Sequence, residues 1–177
     1  MIETINNHQT VQTINELTTA LSEGERTKYG KILKSMEFHA REFTPYCSWS
    51  EGTYTRNCII DTESFELILL CWGKGAATPI HDHGGEECWV SFLDGDFKET
   101  IYQKDKDDQL VTSKTTKVSS GEITYMIDFM GFHKLENESN SRSMSLHLYA
   151  KPIRECQVYD ESSAAFITRE LSYDTIQ

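Results

Sequence analysis

The sequence predicts a mainly β chain, folded as a jelly-roll sandwich or barrel with a helical region at its N-terminus. Three observations predict it. Apolar residues near the start recur at helical spacing, those from about Tyr54 onward gather into short runs, and turn residues divide the runs at close intervals. Many short strands cut by such turns suit a two-sheet or closed β fold.

In the first 40 or so residues, Val11, Ile14, Leu17 and Leu21 share one helical face, with Thr10 as the expected cap and Gly24 as the break. A second helix is expected over residues 25–36, with Tyr29, Ile32 and Leu33 as its apolar face and His39 at the surface beyond it. Residues 65–72 form an apolar run ending at Gly73, read as a strand. Residues 88–93 form another, and a turn at Asp94-Gly95 returns the chain along residues 97–102 as its hairpin partner. A charged tip follows at residues 105–108, then strands over 114–118, 123–127 and 143–149. Turns at Ser119-Ser120-Gly121 and Asn137-Glu138-Ser139-Asn140 separate them. One domain over residues 1–177 is expected, with a helical cover at about 1–45 and a β-barrel at about 54–160.

Apolar residues make up 38% and charged residues 25% of the chain, an ordinary balance for a globular protein. The formal net charge of −11 repels phosphate backbones and anionic lipid heads, so no nucleic-acid or membrane partner is expected. No apolar stretch is long enough to span a bilayer. Met1-Ile2-Glu3-Thr4 lacks the basic-then-apolar pattern of a secretion signal, which makes a cytoplasmic location the expectation, and a monomer is expected. Five cysteines, Cys47, Cys58, Cys71, Cys88 and Cys156, stand at irregular spacing with no Cys-x-x-Cys, so a disulfide framework is not expected. Cys47, Cys58 and Cys71 read as small buried apolar residues.

The histidines carry the functional signal. His81 and His83 are two apart, and on a strand such residues point to one face, where two imidazoles can converge on a single transition-metal ion. A His-x-His pair alone is weak evidence. Its surroundings add to it: Gly75 precedes His81 with five residues between them, Gly95 follows, and His133 comes later in Gly131-Phe132-His133, with Asn137 beyond. This arrangement resembles the two-part signature of the cupin superfamily. Where that signature places a glutamate ligand, with six residues between it and the closing glycine, stands Cys88; Glu87 is one residue out of register. Three neutral imidazoles then leave open positions on the ion, and Glu87 as a fourth ligand is the competing reading.

Over about residues 54–159 the chain resembles one cupin branch, the cysteine dioxygenases. The resemblance is carried by Tyr54-Thr55-Arg56-Asn57, Leu70-Cys71-Trp72-Gly73, Ile80-His81-Asp82-His83, Cys88, Lys98-Glu99-Thr100, Gly131-Phe132-His133, Glu136-Asn137 and Ser145-Leu146-His147-Leu148-Tyr149. It implies that His81, His83 and His133 hold Fe(II), where cysteine chelates through thiolate and amine and leaves a place for O2. It implies that Arg56 pairs with the substrate carboxylate beside Tyr54, that Cys88 and Tyr149 can join in a thioether crosslink, and that Ser145 and His147 are hydrogen-bonded behind that tyrosine. Cys156 matches a cysteine near the pocket mouth. The family's Ser-Pro-Pro run after the tyrosine is Ala150-Lys151-Pro152 here, which leaves a cis prolyl bond at that point open.

The residues themselves support part of this. Ser145, His147 and Tyr149 alternate with Met144, Leu146 and Leu148, so a strand puts the polar trio on one face, toward either water or a site. Arg56 offers a planar fork for a carboxylate. The implied reaction transfers both oxygen atoms of O2 to the sulfur of cysteine, giving a sulfinic acid. The alternatives are a dioxygenase of another carboxylated thiol such as 3-mercaptopropionate, another cupin metal enzyme using Glu87, and a non-catalytic cupin that binds a small molecule.

Overall fold

The computed structural model describes residues 10–176, so the Met1-Ile2-Glu3-Thr4 stretch read for a secretion signal lies outside the described residues. The chain divides between Thr44 and Pro45 into two compact units. In the first, helix α1 (Ile14–Glu23) buries Ile14, Leu17 and Leu21. Its cap is Thr13, not Thr10. Thr13 Oγ1 accepts the Glu16 N–H at 3.2 Å and the Glu16 carboxylate accepts the Thr13 N–H at 3.2 Å, a reciprocal box that Thr10 has no glutamate to complete. Val11 therefore precedes the helix and pairs with Met36 in a parallel bridge. The helix expected over 25–36 is shorter: a 3₁₀ turn at Arg26–Lys28 leads into α2 (Tyr29–Lys34), which buries Tyr29 and Leu33 but leaves Ile32 half-buried. Neither start has a side-chain cap, and basic Arg26 and Lys28 sit where a helix favours anions. His39 is exposed, as expected.

The second unit carries the strands: β1 (Tyr54–Asp61), β2 (Glu66–Trp72), β3 (Cys88–Asp94), β4 (Asp96–Lys104), β5 (Leu110–Ser119), β6 (Ile123–Met126), β7 (Phe132–Asn137), β8 (Ser143–Tyr149), β9 (Glu155–Asp160), β10 (Ala165–Glu170) and β11 (Thr175–Ile176). Six form one sheet in the order β11-β1-β2-β8-β3-β6; β5-β4-β7 form a second and β10-β9 a third. The sheets are not closed into a barrel by continuous hydrogen bonding, but the mainly β, jelly-roll fold is the one expected. The core lies between them, with Ile68, Leu70 and Trp72 of β2 and Val90 and Phe92 of β3 meeting Phe97, Val118 and Leu135 of the second sheet.

The turn at Asp94-Gly95 does not close the expected hairpin: β3 pairs with β8 and β6 while β4 pairs with β5 and β7, so Gly95, with a φ of +96° and Ser143 Oγ where a Cβ would sit, carries the chain from one sheet to the other. All seven residues of β8 are buried, so its polar face looks into the protein and not toward water. Strands β1, β7 and β9 were not read from the sequence, and β10 and β11 lie beyond the 54–160 stretch expected to hold the strands; β10 is largely exposed. Among the described residues no disulfide forms, and no helix is long and apolar enough to cross a membrane. Cys58 and Cys71 are buried as expected, whereas Cys47 is half-exposed.

Candidate metal centre

His81 and His83 do not lie on a regular strand, contrary to expectation. His81 makes isolated bridges to His133 of β7 on one side and Val158 of β9 on the other, and its turn-rich surroundings extend no ladder. The main chains of His81 and His133 exchange two hydrogen bonds, of 3.0 and 2.9 Å. Two carboxylates fasten the loop beyond. Asp128 accepts the N–H groups of His83 at 3.0 Å and Gly85 at 2.6 Å, and Asp82 accepts those of Gly84 at 3.2 Å and Gln157 at 2.8 Å. The loop also needs left-handed backbone at Gly84 and Gly85, with φ of +59° and +92°.

The three imidazoles converge all the same. Their ligating nitrogens lie within 4.8 Å of one another. His81 Nδ1 lies 2.9 Å from the Pro79 carbonyl and His133 Nδ1 lies 2.9 Å from Glu99 Oε1, which turns each Nε2 toward the centre. His83 Nε2 and His133 Nε2 are 3.0 Å apart. Two imidazole nitrogens bound at right angles to one ion at about 2.1 Å would be separated by about 3.0 Å. Burial, and then the neighbouring His133, depress the pKa of both His81 and His83, so these rings stay neutral, the form that binds metal. The donor set therefore fits a divalent first-row ion. Glu87, the competing fourth ligand, stands outside the cluster and accepts the Tyr125 hydroxyl at 2.8 Å.

Beside the histidines lies a small cavity of about 40 Å³, which brings together Tyr54, Arg56, His81, His147, Tyr149 and Cys156. Arg56 projects from β1, and its Nε and Nη2 are buried with no hydrogen-bond partner. Tyr54 packs its ring on Trp72, with 5.1 Å between centroids. Tyr149 ends β8 directly opposite Cys88 of β3. Burial pushes both the Tyr149 hydroxyl and the Cys88 thiol well up, so both keep their protons near neutral pH. Burial likewise raises Cys156 to about 11.

Behind Tyr149, Ser145 Oγ accepts the Trp72 indole N–H at 2.8 Å and lies 2.8 Å from His147 Nε2. The chain of hydrogen bonds stops at His147: its ring stacks toward that of Tyr149, 6.4 Å between centroids, and no hydrogen bond joins the two side chains. Among the described residues no peptide bond is cis, and Lys151 takes a φ of 148° where the chain leaves β8.

Three supporting acids were not assigned from sequence. Glu99 had a signal, since it shares the inward phase of β4 with buried Phe97, where an acid needs a partner. Asp82 and Asp128 had none, because turn residues of this type are common.

The family model described as cysteine dioxygenase type I matches residues 2–162. The chain belongs to the cysteine dioxygenase family. It is 31% identical over 134 residues to cysteine dioxygenase type 1 of Rattus norvegicus and to that of Homo sapiens, covering 73% of this chain and 67% of each relative. A Klebsiella pneumoniae protein with a double-stranded β-helix domain superposes with a TM-score of 0.51 at 15% identity, covering 72% of this chain and 88% of that one, a likeness of fold. As a member of the cysteine dioxygenase family the chain is an enzyme, a dioxygenase on the cupin fold, and its three-histidine cluster fits a metal cofactor.

Proposed function

We propose that the chain oxidises L-cysteine with O2 to cysteine sulfinic acid at Fe(II) held by His81, His83 and His133. The observation that carries the substrate is Arg56: a guanidinium whose Nε and Nη2 are buried without a hydrogen-bond partner, in the same cavity as His81. Buried guanidinium N–H groups left without an acceptor are costly, and a substrate carboxylate offsets that cost. Bound iron supplies open coordination positions and the one-electron chemistry that dioxygen requires.

The chain's own residues bind, orient and exclude water. Arg56 holds the carboxylate end of the substrate, which places the thiol toward the histidines. Tyr54 forms the wall beside it. Leu70, Ile153 and Val158 line the cavity and keep it apolar. Tyr149, held neutral, presents an O–H donor at the inner end, while the Trp72–Ser145–His147 chain fixes the strand behind it. Cys88 and Tyr149, direct cross-strand neighbours, are the pair for a thioether crosslink. Cys156 serves the outer wall. The reading includes a cytoplasmic monomer acting on small molecules, with no nucleic-acid or membrane partner, which a net charge of −11 supports.

The test is aerobic incubation of the iron-loaded protein with cysteine, 3-mercaptopropionate and cysteamine, following oxygen uptake and sulfinate product. Cysteine should be consumed best and cysteamine, which has no carboxylate, worst. Equal turnover of cysteamine would remove Arg56 from substrate recognition; preference for 3-mercaptopropionate would reassign the substrate.

A further inference from the structure

The family match ends at residue 162, yet the chain beyond it returns to the cavity. Arg169 and Leu171 line it. Tyr173 packs against the core between the sheets, and its hydroxyl contacts the carboxylates of Glu66 and Asp61 and accepts Arg154 Nη1–H at 2.8 Å. Thr175 then donates to Asn57 Oδ1 at 2.9 Å as β11 pairs in parallel with β1.

Between these anchors Asp174 grips the main chain of Arg56 on both sides. Its carboxylate accepts the Arg56 N–H at 2.8 Å, and its own N–H donates to the Arg56 carbonyl at 2.8 Å. On its other edge β1 pairs Arg56 with Leu70 of β2. The Arg56 side chain has no partner at Nε or Nη2, so nothing at those nitrogens aims it. Its direction is set at its root, by the main chain.

We infer that residues 169–175 form one wall of the substrate pocket and that Asp174 is a positioning residue for Arg56. The inference rests on the reading of Arg56 as the carboxylate contact. Losing the grip of Asp174 lets the root of Arg56 shift, which weakens recognition of the carboxylate but not of a thiol and amine alone.

The test is anaerobic titration calorimetry of the iron-loaded protein with L-cysteine and with cysteamine, together with metal content and thermal melting. The proteins are the unmodified chain, Asp174→Ala, Asp174→Asn, Arg56→Ala and the double variant Arg56→Ala with Asp174→Ala. Asp174→Ala should weaken cysteine about fivefold, roughly the net worth of one ordinary hydrogen bond, and move cysteamine by less than about twofold. Asp174→Asn keeps a carbonyl acceptor and should restore cysteine binding. In the Arg56→Ala background, Asp174→Ala should add nothing. Unchanged cysteine affinity, equal weakening of both ligands, or full additivity on Arg56→Ala would overturn the inference. If Arg56→Ala weakens cysteine while Asp174→Ala does not, only the positioning role falls. If Arg56→Ala itself binds cysteine normally, the carboxylate reading falls and this inference falls with it.

Discussion

Glu99 is a carboxylate only 5% exposed on a strand otherwise spent on packing, and its partner is the Nδ1 of a metal-ligand candidate, His133. The contact fixes which nitrogen faces the ion and makes that nitrogen a better donor. Glu99→Ala should lower metal affinity about 10- to 100-fold, measured by competition with a chelator of known strength. Glu99→Gln, which keeps an acceptor, should lose less; equal affinity in all three proteins would make the contact incidental. At this scale the sequence was informative wherever chemistry is sparse. Three histidines at diagnostic spacing and one arginine two residues from a tyrosine stand out in a chain of 177. Asp128 did not, because its role comes from a loop 45 residues away from the His83 amide that it holds.

Strands β3 and β8 place Cys88 and Tyr149 opposite each other in register, both side chains buried. A bond between them would link neighbours that the sheet already holds together. Cys88→Ser should therefore abolish any crosslinked species, seen as a faster gel band, while metal content by elemental analysis stays level. Loss of metal in that variant would place Cys88 in the support of the ion. The alternation along β8 was legible as a strand, but alternation alone does not say whether a polar face meets water or a site. Its burial on both faces depends on neighbours remote in sequence. The His-x-His pair shows the converse: its convergence was foreseen from strand geometry, yet the protein achieves it with a bridge, two glycines and two carboxylates.

At the scale of the whole molecule, one buried acid links stability to pH. Glu66 is fully buried, and burial first, then Asp61, raises its pKa from 4.5 to about 7 against the pull of Arg56 and Arg154. Between those values the native protein holds a proton that the unfolded chain has released. Stability from this group is thus present in full below pH 4.5 and is lost as pH climbs to about 7, by at most about 3 kcal/mol. Thermal melts from pH 4 to 8 should show the unmodified protein losing ground to Glu66→Gln within that window and running parallel outside it; parallel curves throughout would mean that Glu66 titrates as an ordinary acid. Six strands between residues 65 and 149 were legible from their apolar runs and the turns between them, whereas β1, β7 and β9 were not read. Beyond residue 160, β10 is largely exposed and β11 spans two residues, so neither is marked by a core-facing pattern. The reciprocal backbone pair between His81 and His133 has a last consequence. It spaces two donors before any ion arrives, so their amides should stay protected from hydrogen exchange after chelation. The metal enters a finished socket, and its coming and going asks only that rings turn, not that sheets part.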